Sequence, residues 1–191
     1  MLQEAFSRPF NVDQQGIYRM LPPDAEGAFL LPPWTYLGST YQSAVMKVFS
    51  LLRINDKHTA AFRHVVSSVK ECPRKQEVFR ASSQGLDRYQ LKVMPGQFGL
   101  HYRGQSAARV QAHASEGEIS LGLYEVGIML ITHPDRLANN DDLAIICAGD
   151  RYHDDPYSVP RFSHRGSALM LDICDTRDAY KDAGVATMFS T

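Results

Sequence analysis

The chain reads as an α+β protein, an N-terminal arm and one or two helices packed on a largely antiparallel, twisted β-sheet. Three observations predict this. Apolar residues recur at helical spacing through residues 62–69, the period changes to two after Gly85, and apolar or alternating runs then continue to the C-terminus. Helix followed by strands argues against a repeating βαβ unit. With 191 residues, 44% of them hydrophobic, the chain can bury one substantial core and fits one domain with an appendage better than two. The expected division is an arm over residues 1–39 and a single α+β domain over 40–191.

Pro9, Pro22, Pro23, Pro32 and Pro33 punctuate the arm among short apolar islands. Its two Leu-Pro-Pro triplets favour an extended backbone, because proline lacks a donor and restricts the residue before it. Residues 41–54 satisfy two periods at once. Val45, Val48, Phe49 and Leu52 make a helical stripe, whereas Ala44, Met46, Val48, Leu52 and Ile54 share one face of a strand; length favours the helix. Next, Phe62, Val65, Val66 and Val69 fall at i, i+3, i+4 and i+7, with Asp56 or Thr59 as cap and Pro73 as stop.

After Gly85, Tyr89, Leu91 and Val93 alternate with Arg88, Gln90 and Lys92; Pro95-Gly96 supplies a turn, and Phe98, Leu100 and Tyr102 return. This predicts a hairpin whose aromatics sit on the hidden face. Further strands are expected at 109–113, at 118–132 with a bulge at Gly122 or Gly127, at 143–148 and at 168–174. Asn139-Asn140-Asp141-Asp142 reads as a polar turn, and 150–164 as a long irregular loop of the kind that often carries function.

The charge is segregated along the chain. Residues 47–109 hold twelve basic side chains against four acidic ones, an excess of eight, so the remainder carries −9 beneath a total of −1. Such asymmetry is the usual footprint of a surface that meets phosphate, on nucleic acid or on anionic lipid. Arg63, Lys70, Arg74 and Lys75 fall on the wet face of the helix and the turn after it. Arg88, Lys92 and Arg103 point outward from the hairpin, and together the seven form the expected anion-binding surface. Each is worth around 1 kcal/mol near an anionic bilayer.

Three widely spaced cysteines, Cys72, Cys147 and Cys174, fit neither a disulfide framework nor a zinc site. They imply a reducing, cytoplasmic or otherwise intracellular compartment, with Cys147 and Cys174 as core thiols. The longest apolar run, 119–132, is broken by Glu125 and two glycines, so no integral membrane segment is expected and membrane contact would be peripheral. The first twelve residues lack the apolar stretch of a secretory signal.

Seven histidines invite a metal reading. The closest constellation is His113 followed by Glu118, then Gly149-Asp150, Pro160 and His164, a two-histidine, one-carboxylate set suited to a divalent transition metal. His133-Pro134-Asp135 and His153-Asp154-Asp155 are read as turns. The chain has no Gly-x-Ser-x-Gly elbow and no phosphate-binding glycine-rich loop followed by lysine.

Two resemblances follow from these residues. Ala112-His113-Ala114-Ser115-Glu116-Gly117-Glu118, with Ala148-Gly149-Asp150, Val159-Pro160 and His164, resembles the half-motifs of the cupins, small metal-binding barrels. That resemblance implies a small metal-dependent enzyme with His113, Glu118 and His164 as ligands. A proline-containing arm, the apolar segment 46–53, a helix, and a twisted sheet containing residues 121–130, in which Gly122-Leu123-Tyr124 is followed by a long strand, resemble the layout of matrix proteins from bullet-shaped negative-strand RNA viruses. This second resemblance implies a non-enzymatic protein without a cofactor, self-associating as a homo-oligomer and bridging an anionic membrane to nucleoprotein. It is the leading expectation, because it accounts for the charge split without a catalytic site.

Overall fold

The computed structural model describes residues 21–52, 59–73, 75–77, 92–114, 117–153 and 155–189. The fold is α+β with largely antiparallel sheets, as the sequence predicts, but the strands divide among three ladders instead of one sheet. One four-stranded sheet has the order β1-β3-β10-β4, formed by Gly27–Leu31, Lys92–Gln97, Thr187–Phe189 and Glu118–Ser120. A second has the order β8-β7-β5-β9, formed by Ala168–Asp175, Ser158–Arg165, Ala144–Ile146 and Ala183–Val185, with β5 and β9 parallel. A two-stranded ladder pairs β2, Val69–Glu71, with β6, Asp150–Tyr152. The helices are α1 (Tyr41–Phe49), α2 (Thr59–Ser68), α3 (Ala107–His113) and α4 (Leu123–Thr132).

The ambiguous segment 41–54 resolves as a helix, α1. Thr40 caps it, its hydroxyl accepting from the Ser43 N–H while Ser43 answers the Thr40 N–H. The predicted 62–69 helix is α2, whose Phe62, Val65 and Val66 are buried; Val69 already belongs to β2. Phe49 of α1 makes edge-to-face contacts with Phe62 of α2 at 5.5 Å and with Phe162 of β7 at 5.6 Å, which joins both helices to the second sheet.

Several expectations change. Part of the expected arm, residues 27–31, is β1, paired along its length with β3; residues 1–20 lie outside the described set. Pro95-Gly96 is not a turn, since β3 runs straight through it. Strand β10 reaches only Gly96 and Gln97, so Pro95, which has no N–H to offer, carries a paired strand on one side alone. The return limb of the expected hairpin is a turn, in which Glu26 Oε1 accepts from both Phe98 N and Leu100 N at 3.0 Å. Tyr89 and Leu91, on the first limb, lie outside the described residues.

Residues 109–113 belong to helix α3, capped by the Ser106 hydroxyl on Arg109 N and burying Ala107 and Val110 at i and i+3. The long strand expected over 118–132 is a short strand, β4, and then α4. Every residue from Leu123 to Leu130 is buried, Glu125 included, so the helix is covered all round and shows no amphipathic stripe. Gly127 is where α1 crosses it: a Cβ there would lie 2.6 Å from Val48 Cγ1. The expected loop 150–164 holds β6 and most of β7.

The second sheet is buried on both faces. Ile145, Phe162 and Leu171 lie in one cross-strand row toward the large core with α1, α2 and α4. Ala144, Ile146, Val159 and Cys174 face a smaller core with Ala107 and Val110 of α3. All three cysteines are free and buried. Among the described residues no helix is long and apolar enough to cross a membrane.

Candidate functional site

Two features meet where β2, β6 and the start of α4 come together: a buried ionic cluster and, against it, an open cleft. Lys75 follows β2 in a short helical turn and is 2% exposed. Its ammonium reaches Asp150 Oδ1 at 2.9 Å, Glu125 Oε2 at 3.0 Å, Glu71 Oε1 at 3.3 Å and the Tyr41 hydroxyl at 3.0 Å. Asp150 Oδ2 accepts from the Tyr41 hydroxyl at 2.6 Å and from Leu123 N at 2.7 Å, while Glu125 Oε2 accepts from Gly122 N at 2.9 Å. The first amides of α4, which have no partner inside the helix, are thereby capped by carboxylates at its positive end. Gly122 is required here, because a Cβ would overlap Asp150 Oδ1 and the Lys75 ammonium.

With every member ionised, the cluster sets one ammonium against three carboxylates. Burial raises the Asp150 and Glu71 carboxyls above the usual range, against the pull of Lys75 and with added repulsion from Glu125. Lys75 is held well above the ordinary lysine value: burial opposes its charge, but Asp150, Glu125 and Glu71 together outweigh that. Burial and Asp150 push the Tyr41 phenol up, so it stays a donor. Such a group closes the core between α1, β2, β6 and α4 and fixes their relative placement.

The cleft beside it has a volume of about 340 Å³. Cys72, Gln111, Glu118, Ser120 and Arg151 supply its polar lining, among small apolar side chains such as Ala114 and Ala148. Gln111 donates from Nε2 to the Ala148 carbonyl at 2.8 Å, and both Glu118 carboxylate oxygens accept a hydroxyl, from Thr187 at 2.6 Å and Tyr102 at 2.6 Å. Among the described residues Arg151 makes no ion pair and the Ser120 hydroxyl has no hydrogen-bond partner. Burial raises the Cys72 thiol, with the Arg151 guanidinium beside it pulling the other way.

Pairing in the β2–β6 ladder sets like charges opposite each other twice. Glu71 faces Asp150, and one residue back Lys70 faces Arg151. Directly opposed residues of an antiparallel pair share a face, and like charges there are destabilising. The acidic pair points inward and is bridged by Lys75. The basic pair points outward, and both of its members are exposed.

The seven residues expected to form an anion-binding surface divide. Lys75 is a correction: it is a core residue, drawn in by three carboxylates from β2, α4 and β6. Arg63, Lys70 and Arg103 are exposed, Arg63 on α2 and Lys70 on β2, while Arg103 donates to the Lys181 carbonyl at 3.3 Å on the turn after β3. Arg74 and Arg88 lie outside the described residues, as does the side chain of Lys92. Arg151, beyond the basic middle of the sequence, joins the surface only through strand pairing.

The metal set does not assemble. His113 is exposed at the end of a helix, not on a strand, and donates from Nδ1 to the Arg109 carbonyl at 2.9 Å. Glu118 is buried in the first sheet, whereas His164 lies on β7 of the second, its Nδ1 3.2 Å from Asn140 Oδ1. Among the described residues no three of His, Cys, Asp and Glu are arranged to hold a metal ion. The buried cluster escaped sequence reading because Lys75 lies 34 residues from Tyr41, 50 from Glu125 and 75 from Asp150; the local signals were Glu71 four residues before Lys75 and Gly122 three residues before Glu125, a helix-start spacing.

Compared with protein-family models, with curated proteins and with solved structures, the chain gives no match.

Proposed function

We propose that the chain is a non-enzymatic binding and assembly protein, matrix-like in role, that meets an anionic surface through basic residues around the β2–β6 ladder. The observation that carries this reading is the outward Lys70–Arg151 pair. The two cations stand opposite each other on the exposed face of the ladder and concentrate positive charge there. Exposed Arg63, on the helix that leads into β2, adds to the same charge. Anionic lipid is the favoured partner, with nucleoprotein as the second anionic surface. The resemblance to matrix proteins supports self-association.

The test is co-sedimentation with neutral and anionic vesicles at low and high salt, with a short nucleic-acid duplex as competitor and light scattering for mass. Binding confined to anionic vesicles, weakened by salt and by the Lys70→Gln/Arg151→Gln double variant, is the expected result. Equal binding to neutral vesicles, or none to either anion, would sink the reading.

A further inference from the structure

We propose that the outer edge of the second sheet, strand β8, is a self-complementary interface through which two copies of the chain pair antiparallel about a two-fold axis at Leu171. This deepens the self-association reading above and rests on it, while needing nothing from the anionic surface. The direction of the β8 backbone comes first. On β7 the Pro160 carbonyl accepts from Cys147 N, just past β5, so Pro160 and its alternate neighbours face β5. Val159, Arg161, Ser163 and Arg165 therefore face β8, opposite Cys174, Asp172, Met170 and Ala168, and Thr176 N donating to the Tyr157 carbonyl continues the same alternation. Those four residues of β8 spend their N–H and C=O groups on β7. The backbone groups of Leu169, Leu171 and Ile173 point away from the sheet, and among the described residues nothing pairs with them.

Open strand edges are normally kept short or guarded by proline, lysine or a bulge. The other outer strands described follow that rule: β2, β4, β6 and β9 have three residues each, and β1 has five and runs into Pro32-Pro33. Strand β8 has eight residues, pairs with β7 without a bulge, and contains no proline, glycine or lysine. Its carboxylates are committed within their own chain, Asp172 to Ser163 at 3.1 Å and Arg161 at 3.7 Å, and Asp175 to Arg177 at 2.9 Å.

The spacing of the outward residues selects a second copy as the occupant. Leu169, Leu171 and Ile173 are symmetric about Leu171, so an antiparallel copy of the same strand sets Leu171 against itself and Leu169 against the second copy's Ile173. Each such pair exchanges two hydrogen bonds, and every outward N–H and C=O of the three residues is satisfied. Between them Met170 stands opposite the second copy's Asp172 and Ala168 opposite its Cys174, with no like charges face to face. An axis at Asp172 would oppose two carboxylates, and one at Met170 would leave Ile173 opposite Ser167, outside the strand. The side chains of Leu169, Leu171 and Ile173 belong to the core of their own chain, so main-chain bonds carry the contact, as in strand addition to a sheet. The arrangement is isologous and closes at two copies. A contact of this size gives a dimer that dissociates on dilution.

The test follows the full chain through a dilution series by light scattering and by residue-resolved amide hydrogen exchange. As concentration rises, the mass is expected to move from one copy toward two, and exchange at Leu169, Leu171 and Ile173 to slow severalfold, with far smaller changes at Met170 and Asp172. Register is read from single variants Met170→Cys and Asp172→Cys, oxidised separately and as an equal mixture. Only the mixture is expected to form a disulfide dimer, because residues 170 and 172 of different copies then face each other at a Cα separation of about 4.5 Å.

A monomer at every concentration overturns the interface and the self-association reading together, and leaves anionic binding to its own test. A dimer whose Leu169, Leu171 and Ile173 amides exchange equally fast at all concentrations overturns the β8 edge alone, and self-association stands. Cross-linking of either variant by itself as readily as in the mixture overturns the axis at Leu171.

Discussion

Lys75 and Asp150 meet at 2.9 Å where neither has appreciable contact with solvent, at 2% and 0% exposure. The pair ties the turn after β2 to β6, and through Leu123 N it also fixes the start of α4, the most buried helix described. Most of the consequences for stability radiate from this contact.

Replacing Lys75 with methionine keeps most of the side-chain volume and leaves three carboxylates facing one another. Removing one partner of a buried ion pair typically costs about 3–5 kcal/mol. Urea unfolding is expected to register a loss of that order. Glu125→Gln, which retains an oxygen for Gly122 N and relieves repulsion on Asp150 and Glu71, is expected to cost far less.

The same cluster gives a pH signature with a defined sign. Asp150 and Glu71 have native pKa values raised above their unfolded ones, so the native state holds protons that the unfolded chain releases. Their contribution to stability therefore falls as pH rises from about 4, the ordinary carboxylate range, through the raised native values. Unfolding free energies of the native chain and of Asp150→Asn, compared from pH 4 to pH 8, are expected to favour the native chain increasingly toward the acid end. Lys75, whose native value is also raised, contributes fully below about pH 10.4, its unfolded value, and loses its contribution above it.

Gly127→Ala sets two effects against each other. Alanine is worth about 1 kcal/mol over glycine in a helix interior, but its Cβ would lie 2.6 Å from Val48 Cγ1. Overpacking of this kind costs about 1–3 kcal/mol, so a net loss is expected in thermal melts. Val48→Ala in the same chain should recover much of it, and additive losses in that double-mutant cycle would count against the contact.

Tyr102→Phe removes the hydroxyl that reaches Glu118 Oε2 at 2.6 Å and leaves that carboxylate oxygen buried with one donor fewer. A loss of about 1–3 kcal/mol is expected. His113→Ala, at an exposed position, and His164→Ala, at a half-buried one, are expected to leave the unfolding midpoint nearly unchanged.

Legibility in the sequence followed locality. The Phe62, Val65, Val66 spacing gave α2, because it reports a helix half covered by its neighbours, and the short apolar or alternating runs around Ile145 and Leu171 gave β5 and β8, because they are too short to read as helices. The same rule failed at Leu123–Leu130, where burial on every side erased the stripe that distinguishes a helix from a strand. It failed at Val93-Met94-Pro95-Gly96 too, where proline and glycine read as a turn but β10 stops short enough for the strand to continue. Of the expected anion-binding residues, Lys70 is exposed on the ladder and Lys75 was misplaced. Helical spacing alone offers no way to tell a solvated lysine from one drawn inward by three distant carboxylates.

By itself, then, the sequence determined the class of fold, the helices with one wet face, the strands with a clean period and the concentration of positive charge before residue 110. Those are set by side chains within a few positions of one another, which any backbone must satisfy locally. Only tertiary structure decided that α4 is a helix, that Lys75 is buried and that Arg151 stands opposite Lys70. Each of those depends on groups far apart in the chain: the capping of α4 by Asp150, the charge gathered around one ammonium, and the register of β2 against β6.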